Sequence, residues 1–148
     1  MVIRGSIRPA KRTELDALIA CDPLSAGDAA RRAQIQLAIG RGHCEVWDLN
    51  GEIVGFVIMV PLAFFERDFV SLLVVSSTFR RNGVGSALMR EAVEGSPRRE
   101  VWTSTNESNV AMRGLLAREE WQFSGTLTGL DDGDPEYVYF KRRKLNSP

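Results

Sequence analysis

Between Phe69 and Leu88 the chain passes from a nearly unbroken apolar run, Phe69 to Val75, through a polar loop into a helix-like pattern that begins at Gly83. A strand apolar at almost every position is covered on both faces, so this run belongs at the centre of a sheet. The loop that follows has the makings of an anion site. Gly83 and Gly85 let the backbone turn and approach a ligand closely, and the first amides of the next helix have no intrahelical acceptors. Arg80 and Arg81 add side-chain donors that suit phosphate oxygens. Two glycines at this spacing can equally do no more than shape a tight strand-to-helix turn. The segment is not a dinucleotide fingerprint, because Leu88 stands where the third glycine belongs. Nor is it a P-loop, since no Gly-Lys-Ser/Thr follows.

The rest of the chain arranges itself around this centre. Gly5 to Arg8 reads as a short opening strand, followed by a helix carrying Leu15, Leu18 and Ile19, with Thr13 and Asp16 as start signals. After the loop Asp22 to Gly27, Asp28 can cap a second helix bearing Ile35, Leu37 and Ile39. Asn50-Gly51 favours a type I′ turn and joins a strand with Cys44, Val46 and Leu49 to one over Ile53 to Val60. Past the glycines come a helix to Val93, a strand from Glu100 to Thr105, and a helix from Asn109 to Glu119 with Met112, Leu115 and Leu116 at helical spacing. Two last strands, Trp121 to Leu127 and Tyr137 to Lys141, flank the turn formers Asp131 to Pro135.

At 148 residues, with 44% hydrophobic and 26% charged residues, the chain is expected to form a single domain over residues 1–148. Its 19 Lys and Arg balance its 19 Asp and Glu, which argues against nucleic acid and against an anionic membrane as partners. The basic run Lys141 to Lys144 reads as a solvated end. The longest apolar run, around Phe56 to Phe65, has strand length and is broken by Pro61, so no membrane span or export signal is expected and the location reads as cytoplasmic. Cys21 and Cys44 read as structural thiols, and a single histidine with no Cys/His spacing argues against a metal.

Arg80-x-x-Gly83-x-Gly85, preceded by an apolar strand and followed by Ser86-Ala87-Leu88, resembles the acyl-CoA signature of the GCN5-related N-acetyltransferases, the GNAT family. The resemblance extends over almost the whole chain. It implies an α/β (α+β) fold with a mixed central sheet of about six to seven strands and about four helices, the fourth and fifth strands parallel and splayed. It further implies acetyl-CoA as co-substrate, with the backbone of Leu73, Val74 and Val75 bonding the pantetheine arm. Arg80, Arg81, Asn82, Gly83, Val84, Gly85 and Ser86 correspond to the segment that wraps the pyrophosphate, and Asn109 to a cofactor-contacting asparagine.

The chain departs from the family pattern at the acid and base. Leu116 stands where many relatives place a tyrosine, and Phe69 and Ser104 stand where relatives often place a glutamate. Glu66 and Ser104 are therefore taken as the catalytic candidates, among neighbours that include Asp68, Thr103, Asn106, Tyr137 and Tyr139. The implied activity is transfer of an acetyl group to a primary amine by direct attack in a ternary complex, because neither cysteine has the neighbours of an activated nucleophile. The alternative is an acyl-CoA-binding sensor or interaction module, and a phosphate-ligand domain without CoA is a third reading. The acceptor is a small-molecule or peptide amine, and a homodimer stays open. The acidic hairpin Leu130 to Glu136 is either a turn or a lure for a cationic amine.

Overall fold

The computed structural model describes residues 4–144. Strand β1 (Ser6–Pro9) leads through a 3-10 turn, Arg12–Glu14, into helix α1 (Leu15–Cys21). A second 3-10 turn, Pro23–Ser25, precedes helix α2 (Ala29–Arg41). Strands β2 (Cys44–Leu49), β3 (Glu52–Phe64) and β4 (Arg67–Val75) follow, then α3 (Val84–Gly95), β5 (Glu100–Asn106), α4 (Val110–Arg118), β6 (Gln122–Leu127) and β7 (Glu136–Arg142). They form a seven-stranded sheet in the order β1-β2-β3-β4-β5-β7-β6. Neighbours pair antiparallel except β4 and β5, which are parallel as expected.

Several local signals act as the sequence predicts. Asn50 and Gly51 take positive φ of 52° and 93°, the requirement of a type I′ turn. The Asp28 carboxylate accepts from the Arg31 amide at the start of α2, and Gly42 closes that helix in the left-handed region at φ 74°. Two expectations are corrected. The first helical segment starts at Arg12, and the side chain that closes its start is Glu14, not Thr13: the Glu14 carboxylate accepts from the Lys11 amide at 2.8 Å and is gripped by Arg8. On α2, Leu37 is 55% exposed, while Ile35, Ala38 and Ile39 face inward, because i, i+3 and i+4 share a helix face and i+2 does not.

One helix pair lies on each face of the sheet, over separate cores. Leu18, Cys21, Ile35, Ala38 and Ile39 of α1 and α2 pack on Val46, Phe56, Ile58 and Val74. On the other face Val84, Leu88, Met89 and Leu116 of α3 and α4 pack on Val57, Val70, Val101 and Tyr139. Strand β3 runs past Pro61 to Phe64, and its register with β4 jumps between Val60 and Phe64, with Leu62 at φ 58°. Proline is tolerated there because the ladder is already interrupted.

Candidate functional site

The central strand changes character at Ser71. Ile58 pairs with Leu72 and Met59 with Val70, so Ser71 is an extra residue bulged out of the β3–β4 ladder. The bulge switches which side chains face which core. Before it Val70 belongs to the α3/α4 core; after it Val74 belongs to the α1/α2 core while Leu73 and Val75 lean on the α3/α4 core. It also bends the strand, and the parallel pairing ends at the same place: only Asp68–Val70 of β4 pairs with Val101–Thr103 of β5. The Thr103 hydroxyl, buried at the crotch, donates to the Val70 carbonyl at 2.9 Å. Beyond it the strands part, and the β5-facing edge of β4 from Ser71 to Val75 has no strand partner among the described residues. Leu73, Val74 and Val75 lie on that open edge.

At the far end of β4 the chain makes a 3-10 turn, Ser77–Phe79, and a loop in which Arg81 and Gly83 take positive φ of 66° and 81°. Gly83 is the N-cap of α3 and provides no side-chain cap. The first main-chain bond back to it comes from Ala87, so the amides of Val84, Gly85 and Ser86 have no acceptor in the helix. The loop residues divide their roles. Asn82 turns inward, its amide donating to the carbonyls of Phe79 and Arg80, and Arg80 donates from Nε to the Val75 carbonyl. Arg81 stays exposed. A Cβ at Gly83 meets nothing within 4 Å, whereas one at Gly85 comes within 2.9 Å of Leu115 Cδ1. Gly83 therefore serves the turn, while Gly85 serves the approach of α4 to α3.

Asn109 caps α4, its side-chain oxygen accepting from the Met112 amide at 3.1 Å, and its NH2 has no partner among the described residues. Leu116 is wholly buried in the α3/α4 core. Ser104 follows the crotch residue Thr103 on β5, on the sheet face that carries α1 and α2. Ser71 is on that face too, with its hydroxyl 3.4 Å from Gln34 Nε2 of α2. Glu66 is elsewhere. It forms the exposed β3–β4 turn with Phe65, at φ 64° and 47°, four residues before the fork opens, or roughly 13 Å along the strand. The structure thus gathers the cofactor candidates and Ser104 around one fork and sets Glu66 at its closed end.

Both thiols are buried and free, and burial raises Cys21 to about 11 and Cys44 to about 12, far from the reactive thiolate range. Tyr137 donates to Glu107 at 2.5 Å, a bond that raises its pKa above the usual phenol value. Among the described residues no group of three or more His, Cys, Asp or Glu side chains is placed to hold a metal, and no helix is long and apolar enough to cross a membrane.

A sheet that forks at a bulge, next to a helix start without a side-chain cap beyond the end of the same strand, offers unpaired main-chain groups of the kind that suit an extended, phosphate-bearing ligand. The family model of the GNAT acetyltransferases matches residues 13–119, and the chain belongs to that family. A GNAT-family acetyltransferase from Bacillus cereus ATCC 10987 is 31% identical, with a TM-score of 0.88 over 96% of this chain and 99% of that one. Ard1 from Thermoplasma volcanium is 18% identical, with a TM-score of 0.81 over 95% of this chain and 99% of that one. The diaminobutyrate acetyltransferase EctA from Paenibacillus lautus, solved with its substrate and coenzyme A, is 18% identical, with a TM-score of 0.71 over 93% of this chain and 95% of that one. Among curated proteins, none matches the chain. Family membership implies acetyl transfer from acetyl-CoA.

Proposed function

We propose that the chain, acting as one domain, transfers an acetyl group from acetyl-CoA to the amine of a small molecule or peptide by direct attack in a ternary complex. The observation that carries this reading is the fork: an unpartnered strand edge at Ser71 to Val75 leads directly to the uncapped start of α3. These are the main-chain groups that a pantetheine arm and a pyrophosphate need. Acetyl-CoA supplies the activated thioester. The edge at Leu73, Val74 and Val75 pairs with the amides of the arm. The amides from Arg81 to Ser86 receive the pyrophosphate, with Arg80 and Arg81 completing the charge. The free NH2 of Asn109 is available to the same ligand. Two buried, high-pKa thiols support direct attack over an acyl-cysteine route. Ser104, beside the crotch on the opposite side of the sheet from α3, is the side chain placed to relay a proton from the incoming amine.

Titration calorimetry with acetyl-CoA tests the placement. Gly83→Asp puts a negative charge at the helix start with no steric clash, and aspartate tolerates the left-handed backbone better than most residues. The variant is expected to stay folded and to lose acetyl-CoA affinity by about a hundredfold, the sum of a lost anion site and added repulsion. Unchanged affinity in a folded variant overturns the site. Binding without thiol release across a panel of amines, including peptide N-termini, returns the chain to the acyl-CoA sensor reading.

A further inference from the structure

The face of the fork that carries α1 and α2 holds a carboxylate that no other side chain among the described residues engages. The uninterrupted β5–β7 register pairs Trp102 with Phe140, Ser104 with Val138 and Asn106 with Glu136, and directly opposed residues share a face. Glu136 therefore lies on the same face as Ser104, at the open end of the fork. Three of its acidic neighbours are committed elsewhere, and Asp132 is exposed on the turn. Asp131 accepts from Asn106 at 2.9 Å, Asp134 from the Ser108 hydroxyl at 2.6 Å, and Glu107 from Tyr137. Glu136 is half-buried and has no side-chain hydrogen bond or ion pair among the described residues. A half-buried carboxylate beside the opening, left without a partner, is suited to a cationic one.

On the other side of Ser104, at the closed end, the same face is aromatic. Trp102 stacks on Phe140 at 4.9 Å and lies 5.5 Å from Phe64, which stacks on Phe69 at 5.2 Å. The indole N–H of Trp102 is taken by Glu100 at 2.6 Å, so the row offers ring faces and no donor. Trp102 and Ser104 are two residues apart, about 7 Å along the strand. An acceptor whose nitrogen reaches the crotch beside Ser104 thus has a carboxylate on one side and an apolar floor on the other.

Resting on the transfer reading above, we infer that Glu136 binds the acceptor's ammonium group and takes its proton, and that the acceptor is a primary amine carried on an aromatic or other apolar body. The proton balance closes on this assignment. An ammonium loses two protons on becoming an amide: the first passes by way of the Ser104 hydroxyl to the Glu136 carboxylate and on to water, which frees the nitrogen lone pair for the new C–N bond. The second passes to the sulfur as the C–S bond breaks, so coenzyme A departs as its free thiol.

The test uses the full chain, 2-phenylethylamine as acceptor and ethylamine as its truncated counterpart. Acetyl-CoA binding is measured first, and its absence overturns the transfer reading itself. With that binding in place, 2-phenylethylamine is expected to be acetylated with a lower KM than ethylamine. Glu136→Gln is expected to lower kcat/KM by about tenfold or more and to weaken 2-phenylethylamine binding to the coenzyme A complex, read by calorimetry, by a similar factor. Its acetyl-CoA affinity stays that of the wild type. Glu136→Asp keeps part of the activity, and Trp102→Ala raises KM for 2-phenylethylamine more than for ethylamine. Failure of an acetyl-CoA-binding wild type to take 2-phenylethylamine, or wild-type amine affinity and turnover in Glu136→Gln, overturns the assignment and leaves the cofactor site standing.

Discussion

The two flanks of β4 are built on opposite plans. Toward β3 its register runs from Arg67 opposite Phe64 to Val75 opposite Gly55, interrupted by irregularities at Ser71 and near the turn. Toward β5 the pairing stops at Val70. One flank satisfies its main chain within the fold, and the other leaves part of it without a strand partner among the described residues. The α1/α2 core behind the closed flank and the start of α3 beyond the open one are correspondingly different, the first packed and capped, the second uncapped. Under the proposed function, stability and binding fall on different sides of one strand, and substitutions should separate them.

The largest stability effect belongs to the closed flank. Phe56 is fully buried between α1, α2 and the sheet, paired with Val74 on the far side of β4 from the fork. Phe56→Ala is expected to cost about 3–5 kcal/mol in denaturant unfolding through a cavity that the layer cannot refill. The fraction that remains folded keeps wild-type acetyl-CoA affinity, because no atom of the open edge is changed. A fall in the affinity of that fraction would show that the two flanks are not independent.

Thr103 sits where the flanks meet, and its replacement moves both signals. Thr103→Val keeps the shape but leaves the buried Val70 carbonyl without its hydroxyl donor. The expected cost is about 1–3 kcal/mol, the penalty of an unmade buried hydrogen bond. Acetyl-CoA affinity, followed by calorimetry, should fall as well, since the crotch sets where the open edge begins. A stability loss with unchanged affinity would mean that the Ser71 bulge alone opens the fork.

The contrast also explains which parts were legible in the sequence. Features fixed by neighbours in the chain could be read directly: the Asn50-Gly51 turn, the Asp28 cap, the apolar run of β4 and the glycine that starts α3. The GNAT resemblance supplied the splay of the two parallel strands, which no local pattern encodes. The bulge at Ser71 was not legible, because it exists only in the register against Met59 and Ile58 on another strand. Glu136 was read as one charge of an acidic hairpin. Its position on the face of Ser104 depends on a β5–β7 register between residues about thirty apart in the chain, and only the folded structure shows that Asp131, Asp134 and Glu107 are engaged by other groups while Glu136 is not. Glu66 and Asp68 are two residues apart, yet Glu66 is exposed on the turn while Asp68 is buried against Ser96 and Arg98. Sequence proximity could not separate those two surroundings.

The smallest expected effect tests whether the closed side also carries the acid sensitivity of the fold. Glu14 accepts from Arg8 at 2.7 and 2.9 Å and from the Lys11 amide, tying the start of the helical layer to β1. The Arg8 hydrogen bond, opposed in part by burial, lowers its pKa from 4.5 to about 2. A carboxylate with a depressed folded pKa binds protons more weakly when folded than when unfolded, so its contribution is fully present above the unfolded value of 4.5 and is lost as pH falls toward about 2. The side chains are partly exposed, at 24% and 18%, which limits the pair to about 1 kcal/mol or less. Glu14→Gln is therefore expected to lose up to that amount at pH 7 and to show a shallower fall of stability between pH 4.5 and 2 in denaturant titrations. Acetyl-CoA affinity at pH 7 should be unaffected, because Glu14 holds an edge of the molecule that the fork does not touch. Parallel acid slopes in the two proteins would move the acid-sensitive contacts away from β1 and toward the carboxylates Glu100 and Glu119, whose pKa values are also lowered, by Trp102 and Arg90 respectively.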